Sequence, residues 1–428
     1  MADQITKITL SNGLEIRLKE IHTSPIISHW VWYRVGSRNE KPGQTGISHW
    51  VEHMQFKGTP RFPAGVLDKA ISRDGGMWNA FTHLDWTTFF ETVPLEKIDL
   101  ALDLEADRMA NSLYEPQEVE SERTVIISER EGNENEPTMI LDEAVQGAAF
   151  DTHPYHYEVI GLKDDLKRIT RDELYQHYRS HYHPANAVLA MAGDFDTDDM
   201  LEKIRQRYEG VPAGPLSHLE IPIESPISSE RRITVEGPGE TTYLQVAYRA
   251  AAAGSQDFFV LSVLDSLLTG PTSLNMFGGG GISNKTSRLY KALVEKELSV
   301  SAAGGVQATI DPFLYTISAT LHPDHSVDEN LSAIDDEIHR LQDAPAPQSE
   351  LERAIKQARA LFAYGSENIT NQAFWLGYAE MFDHYEWFER YLERLEAVTA
   401  AQVMHAAQSY LNSSHRVVGV YLPKDQHE

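Results

Sequence analysis

The feature that most constrains the fold is an internal repeat. At an offset of 229 residues, the two halves of this 428-residue chain share landmarks in one register. Gly75-Gly76 falls on Gly304-Gly305, and Pro94 falls on Pro323. Thr170, which opens TRDELYQHYRSHY, falls on Thr399, which opens TAAQVMHAAQSYL. Val188-Leu189 falls on Val417-Val418. Near the start of each half the offset becomes 215, where Tyr33-Arg34 resembles Tyr248-Arg249. A shared register over most of a domain reads as duplication. Such a chain folds as two related domains, with the Pro- and Ser-rich stretch around 211–230 between them. The expected boundaries are an N-terminal domain at 1–215, a linker at 216–232 and a C-terminal domain at 233–428.

Each half mixes short β-rich runs with helical stretches. Ile26–Tyr33 (IISHWVWY), Ala187–Ala192, Tyr243–Tyr248 and Val417–Leu422 read as strands. Leu100–Leu113 and Glu350–Ala363 carry apolar residues at three- and four-residue spacing, the pattern of amphipathic helices. Strands mixed with helices in this way predict α/β layers.

The first half contains His49-Trp50-Val51-Glu52-His53. On a helix, positions i and i+4 lie about 5–6 Å apart at Cβ. That spacing brings two imidazoles to one metal at a Zn–N distance of about 2.0–2.1 Å. Ile47, Trp50, Val51 and Met54 can then face the core. The chain has no cysteine, so disulfides, thiolate zinc sites and cysteine catalysis are excluded. A transition metal must sit on His, Asp or Glu. The motif alone arises by chance in roughly several per cent of chains this rich in His and Glu. A catalytic zinc also needs a third protein ligand. The candidates lie in SERTVIISEREGNENEP, residues 121–137, where Glu122 and Glu129 sit seven apart on one helical face. Spacing does not separate Glu129 from Glu131 or Glu134. At the 229 offset, His49, Glu52 and His53 fall on Gly278, Gly281 and Ile282, so only one half keeps the chemistry.

There are 64 acidic and 37 basic residues, a formal charge of −27. That balance argues against a nucleic-acid partner, which needs a basic patch, and favours cationic ones. The bland reading is a well-solvated acidic surface. No apolar run approaches the roughly 18 residues that span a bilayer. The start, MADQITKITL, is not a secretory leader. The expectation is a bacterial-type soluble protein, periplasmic or cytoplasmic, with no membrane span.

The stretch VGSRNEKPGQTGISHWVEHMQFKGTPRF resembles the active-site segment of the pitrilysin family, whose H-x-x-E-H order is the inverzincin motif. Further matches are GGMWNAFTHLDWTTFFETVP, ERTVIISERE, THPYHYEVIG, HYHPANAVLAMAGDFD and SRLYKALVEKEL, so the resemblance covers nearly the whole chain. The length is similar to that of the short-chain, mitochondrial-processing-peptidase-like subgroup, in which two chains pair and enclose a chamber. The resemblance implies an α/β (α+β layered) fold of two homologous domains, each a mostly antiparallel sheet packed against helices. It implies a zinc metalloendopeptidase that hydrolyses unfolded peptides, basic ones favoured by the acidic balance. One Zn²⁺ per chain would be held by His49, His53 and Glu129, with Glu122 supporting the site from behind. Glu52 would be the general base. Asn79 and Ala80 match the family's edge strand, which pairs with substrate backbone; the plainer role for Asn79 is a turn-capping amide.

The chain departs from the family pattern in its second half. Members active alone carry an Arg and a Tyr in a segment like LREKRGLAYS. Here LVEKELSVS, residues 293–301, has Val294 and Val300 at those positions. Arg288 occupies a different family position and reads as structural. The resemblance therefore implies a heterodimer, whose homologous partner lacks HxxEH and supplies the Arg/Tyr pair. Gly278, Gly279, Gly280 and Gly281 open GGGGISNKT, close to a phosphate-binding loop. Asn284 stands where that motif needs its last glycine, so nucleotide binding is rejected. The remaining readings are a mobile glycine-rich loop that handles substrate, as in the non-catalytic subunit of processing peptidases, or a plain linker. Two other functions compete with peptidase: a non-catalytic structural or assembly subunit, and a peptide-binding module. The intact His49, Glu52, His53 and Glu129 argue against decay.

Overall fold

A computed structural model of the chain describes residues 5–66, 73, 75–215, 220–275 and 282–424. The first sheet holds β1 (Thr6–Thr9), β2 (Glu15–Glu20), β3 (Ile26–Tyr33), β4 (Met77–Thr82), β5 (Thr87–Pro94) and β6 (Ala187–Gly193), in the order β1-β2-β6-β3-β5-β4. Only β2 and β6 run parallel. The second holds β7 (Arg231–Gly237), β8 (Tyr243–Arg249), β9 (Ser299–Val306), β10 (Leu314–Leu321) and β11 (Arg416–Pro423), in the order β7-β11-β8-β10-β9. Only β7 and β11 run parallel. Two mostly antiparallel sheets packed with helices are the fold class that the sequence predicts.

The longer helices of the first half are α1 (Ile47–Met54), α2 (Ile98–Asn111), α3 (Pro116–Asn133), α4 (Pro137–Ala149), α5 (Arg171–His181) and α6 (Thr197–Tyr208). Those of the second half are α7 (Gln256–Leu268), α8 (Val327–Asp343), α9 (Gln348–Tyr364), α10 (Ile369–Tyr378) and α11 (Ala400–Tyr410). Thr170 and Thr399 cap α5 and α11 through equivalent capping boxes, with Glu173 and Gln402 at the third helical positions. Among the described residues, no helix is long and apolar enough to cross a membrane.

Two compact units form, and they do not follow the two halves of the sequence. Described residues within 1–130, 157–221 and 367–385 make the first; those within 131–156, 222–366 and 386–428 make the second. Residues 131–156 thus leave the half that encodes them, and 367–385 do the same in the other direction. Boundaries at 215 and 233 make no provision for this exchange. In the second unit, α4 lies on β7, β8 and β11. In the first, α10 lies on β3 and β6. The last residues of the two helices, Ala149 and Tyr378, are 229 apart, so the exchange is reciprocal. Its cause is apolar complementarity. Leu141 and Val145 of α4 reach the β11 backbone at Gly419, where no side chain intervenes.

This arrangement explains IISHWVWY. Ile27, Val31 and Tyr33 face one core with Ile47, Trp50, Met109, Tyr178 and Ile204. Trp30 and Trp32 face α10, where Phe374 packs edge-on at 5.6 and 5.4 Å between ring centroids. A strand covered on both faces reads as a continuous apolar run. A Cβ on Gly377 would overlap the Trp32 indole. We expect Gly377→Ala to destabilise the protein by about 3 kcal/mol, as overpacking does. A urea-unfolding midpoint equal to that of the wild type would show that Trp32 yields without cost.

The core also buries charge. Arg108 of α2 sits beside Glu105 and Glu91, with its guanidinium 4.2 Å over the Phe89 ring. One cation between two carboxylates in a dry interior leaves burial to dominate at Glu105, and its pKa rises well above the usual range.

Ladder register tests the repeat residue by residue. In the first sheet Trp32 lies between Val188 and Thr88, and Thr88 faces Phe81. In the second, Ala247 lies between Val417 and Thr316, and Thr316 faces Gly305. Val188 with Val417 keeps the 229 offset, and Trp32 with Ala247 keeps 215. Gly304-Gly305, however, take the ladder places of Ala80-Phe81, not of Gly75-Gly76. By element order, the helix after β8 is α7. Carrying the 215 offset forward sets Leu264, Leu267 and Leu268, all buried, opposite His49, Glu52 and His53. The second half therefore has an apolar helix where the first has its motif. The GGGG assignment at offset 229 missed this because the offset changes only after the helix, where Met54 to Met77 in the first half is shorter than Leu268 to Ser299 in the second.

Candidate metal centre

Helix α1 begins without a side-chain cap at its own N-cap. Gly46 there takes φ +83°, and a Cβ would overlap the Ile160 carbonyl, so glycine is required. The Glu40 carboxylate does the capping. It accepts the N–H of Gly46 at 2.7 Å and of Ser48 at 2.8 Å. Its two oxygens satisfy orphan donors of the helix start whether or not it is charged, and burial pushes its pKa up to about 8. Ile47, Trp50, Val51 and Met54 are buried, as their spacing predicts. His49, Glu52 and His53 turn away from them.

Helix α3 runs alongside, fixed by Arg123. Its guanidinium lies 4.6 Å over the Trp50 ring and donates to the carbonyls of Leu166 and Ile169. This brings Glu122 against His53: Nδ1 and Oε1 are 2.8 Å apart. Lys57 forms an ion pair with the same carboxylate. Burial would raise Glu122, but His53 and Lys57 hold its pKa below the usual carboxylate range. An ionised Glu122 accepts only, so the neutral His53 ring, the form that ligates, carries its proton on Nδ1 and presents Nε2 as a lone pair.

Two turns on, the half-exposed Glu129 places Oε2 3.7 Å from His53 Nε2 and 3.9 Å from His49 Nε2. One ligand atom from each of His49, His53 and Glu129 lies within 4.8 Å of the others. Two ligands of a tetrahedral zinc at about 2.0–2.1 Å would stand about 3.4 Å apart. Two imidazoles and a carboxylate are a zinc donor set, and small side-chain shifts would bring their ligand atoms to that spacing. Burial, then the neighbouring His53, pushes the His49 pKa down to about 3, so this ring is neutral as a ligand must be. Burial lowers His53 too, but Glu122 and the nearby carboxylates outweigh it and raise its pKa. Among the described residues, this is the one group of three or more His, Asp or Glu side chains with converging ligand atoms. Neither Glu131 nor Glu134 belongs to it.

Glu52 is not one of the three donors, and its carboxyl reaches β4. Its Oε2 accepts the Thr82 hydroxyl at 2.7 Å. Burial pushes its pKa up to about 7, against the lowering pull of Thr82 and His53. Thr82 is the residue that sequence reasoning missed. The available signal was alternation, because Thr82 follows Ala80 by two and so shares its face. Asn79 lies within a strand, not at a turn. β4 pairs with β5 alone among the described strands, leaving an open edge. On it Asn79 Oδ1 accepts the Ala80 N–H at 2.9 Å.

In the second unit, Val294 ends a wide helical turn (Tyr290–Val294), and Val300 is 61% exposed near the start of β9. The Arg288 fork is taken up by Glu350 at 2.8 and 2.9 Å, which accounts for it as structural. Gly278, Gly279, Gly280 and Gly281 lie outside the described residues.

The chain is similar to known proteins. Residues 16–162 match the model of "Insulinase (Peptidase family M16)", and residues 168–358 match that of "Peptidase M16 inactive domain". The zinc protease PqqE of Helicobacter pylori is 28% identical over 375 residues, spanning 86% of this chain and 81% of that one. The probable mitochondrial-processing peptidase subunit beta of Arabidopsis thaliana is 27% identical over 414 residues, spanning 94% and 75%. The crystal structure of a protease from Helicobacter pylori superposes with a TM-score of 0.90 at 24% identity, over 98% of this chain and 100% of that one.

Proposed function

The chain belongs to peptidase family M16, and from that premise we propose that it is a zinc metalloendopeptidase acting on unfolded peptides. The convergence of His49, His53 and Glu129 carries the reading. Zinc bound there would supply Lewis acidity, polarising the scissile carbonyl and making a water acidic near neutral pH. The chain's own residues do the rest. Glu122 keeps His53 in the ligating tautomer. Glu52, beside the ligands but not among them, takes the proton of the attacking water and passes it to the leaving amine. Asn79 and Ala80 pair with substrate main chain along the β4 edge, once the Asn79 amide releases the Ala80 N–H. Such pairing reads backbone and tolerates many side chains.

The first half of the sequence is the catalytic one. The second, from 233 onwards, contributes a homologous domain without the metal residues and the glycine segment at 278–281. Val294 and Val300 offer no polar group to hold substrate. A homologous partner without HxxEH supplies the Arg and Tyr in this reading. One observation favours the rival, a non-catalytic assembly subunit: the second matched model is described as an inactive domain. That match covers residues 168–358, however, and leaves the histidine motif outside it.

One experiment separates these. The purified chain should bind one zinc and cleave unfolded peptides weakly at dilutions where it is monomeric. Adding the partner should restore cleavage, chelation should abolish it, and zinc should return it. At low salt, basic peptides should be cut faster than matched acidic ones, given the −27 charge. Full activity alone would remove the partner from the account. A zinc-loaded pair that leaves every peptide intact would establish the assembly role instead.

A further inference from the structure

The hydrogen bond between Thr82 and Glu52 has a fixed direction. On β4, Trp78, Ala80 and Thr82 share the face towards α1. Ala80 is buried, and Trp78 packs 4.7 Å from Phe56 between ring centroids. Thr82 comes last on that face and places Oγ1 2.7 Å from Glu52 Oε2. Opposite it in the ladder is Thr87. Thr87 Oγ1 lies 2.8 Å from the Val35 carbonyl and 3.4 Å from Thr82 Oγ1. Tyr182 donates either to Thr87 Oγ1 at 3.3 Å or to the Ser48 carbonyl at 3.4 Å. Each hydroxyl has one proton to give, and an ionised carboxylate has none. With Glu52 ionised, or protonated on Oε1, Thr82 gives its proton to Oε2 whichever way Thr87 turns.

A carboxylate with a permanent donor on one oxygen has one oxygen left for proton exchange. We propose that Thr82 is a positioning residue: its hydroxyl holds Oε2 of Glu52 and reserves Oε1 for the proton that moves during peptide hydrolysis. This rests on the peptidase reading of the same site. The water oxygen bonds to the carbonyl carbon as its proton passes to Oε1. That proton then moves from Oε1 to the amine nitrogen as the C–N bond breaks. Glu52 ends as it began. Throughout, Oε2 remains an acceptor, as a carboxylate oxygen or as the carbonyl oxygen of the acid, so Thr82 need not turn. The bond comes from the Thr82 side chain, whereas substrate pairing uses the β4 main chain. The two roles can be tested apart.

The test uses the full chain with its partner, as wild type, Thr82→Val, Thr82→Ser and Glu52→Gln. Supporting contacts around metal sites are typically worth about 10–100-fold, so Thr82→Val should lower kcat by that factor and leave KM within about twofold. Zinc content should not change, and Thr82→Ser should recover kcat to within about threefold, because it keeps the donor. A second measurement does not depend on turnover. Crystal structures of the zinc-free proteins should show one Glu52 position in the wild type and a displaced or divided one in Thr82→Val. An active wild type with an equally active Thr82→Val, or Glu52 unmoved in that variant, overturns this inference and leaves the peptidase reading intact. Equal losses in Thr82→Val and Thr82→Ser also overturn it, since packing and not the hydroxyl would then matter. A wild-type pair that cleaves nothing overturns both.

Discussion

Glu52→Gln should keep its zinc and lose its peptide cleavage. The three converging donors are His49, His53 and Glu129, and Glu52 is not one of them. The substitution preserves shape, and the amide oxygen still accepts the Thr82 hydroxyl. What disappears is the capacity to take a proton from water. General bases contribute about 10²–10⁴-fold, so a loss of about 10³-fold in kcat is expected. The fold should not suffer, because Glu52 is buried and a neutral amide costs less to bury than a carboxylate. Metal analysis, a peptide assay and a melting curve on the same sample decide it. Zinc-loaded, folded protein with near-normal turnover would remove Glu52 from the chemistry.

Glu129→Gln should do the opposite, losing the metal first. Two histidines would remain, without the anionic oxygen that faces both Nε2 atoms. Outer-shell partners alone are worth about 10–100-fold in metal affinity, so loss of a direct ligand should cost at least about 100-fold. Glu131→Gln and Glu134→Gln should bind zinc as the wild type does. Competition against a chelator of known affinity measures all three. Unchanged affinity in Glu129→Gln, with loss in either neighbour, would relocate the third ligand.

That comparison marks the limit of what was legible beforehand. Glu122 and Glu129 share a helical face by arithmetic, yet arithmetic does not say which carboxylate reaches the histidines. The choice follows from where α3 lies, and Arg123 stacked on Trp50 sets that position. The strands at Ile26–Tyr33 and Tyr243–Tyr248 were visible as apolar, β-branched and aromatic runs, and the structure has them there, the second one residue longer, to Arg249. The helix caps at Thr170 and Thr399 were equally local. The ladder place of Gly304-Gly305 was not, because register depends on a neighbouring strand and on the lengths of the joining segments. Nor was Thr82, a threonine like many others until β4 packs beside α1.

By itself, the sequence determined what depends on spacing along one backbone. The 3.6-residue period set His49 and His53 side by side and sent Ile47, Trp50, Val51 and Met54 the other way. The repeat predicted two related sheets, and the absence of cysteine confined any metal to His, Asp and Glu. Only the tertiary structure decided which surfaces meet. It brought Glu129 to His53, 76 residues earlier in the chain, and to His49, gave Glu52 its donor, and exchanged α4 and α10 between the two units. Those outcomes come from the fit of apolar faces and the burial of charge. That fit belongs to pairs of surfaces, and the spacing within either surface does not contain it.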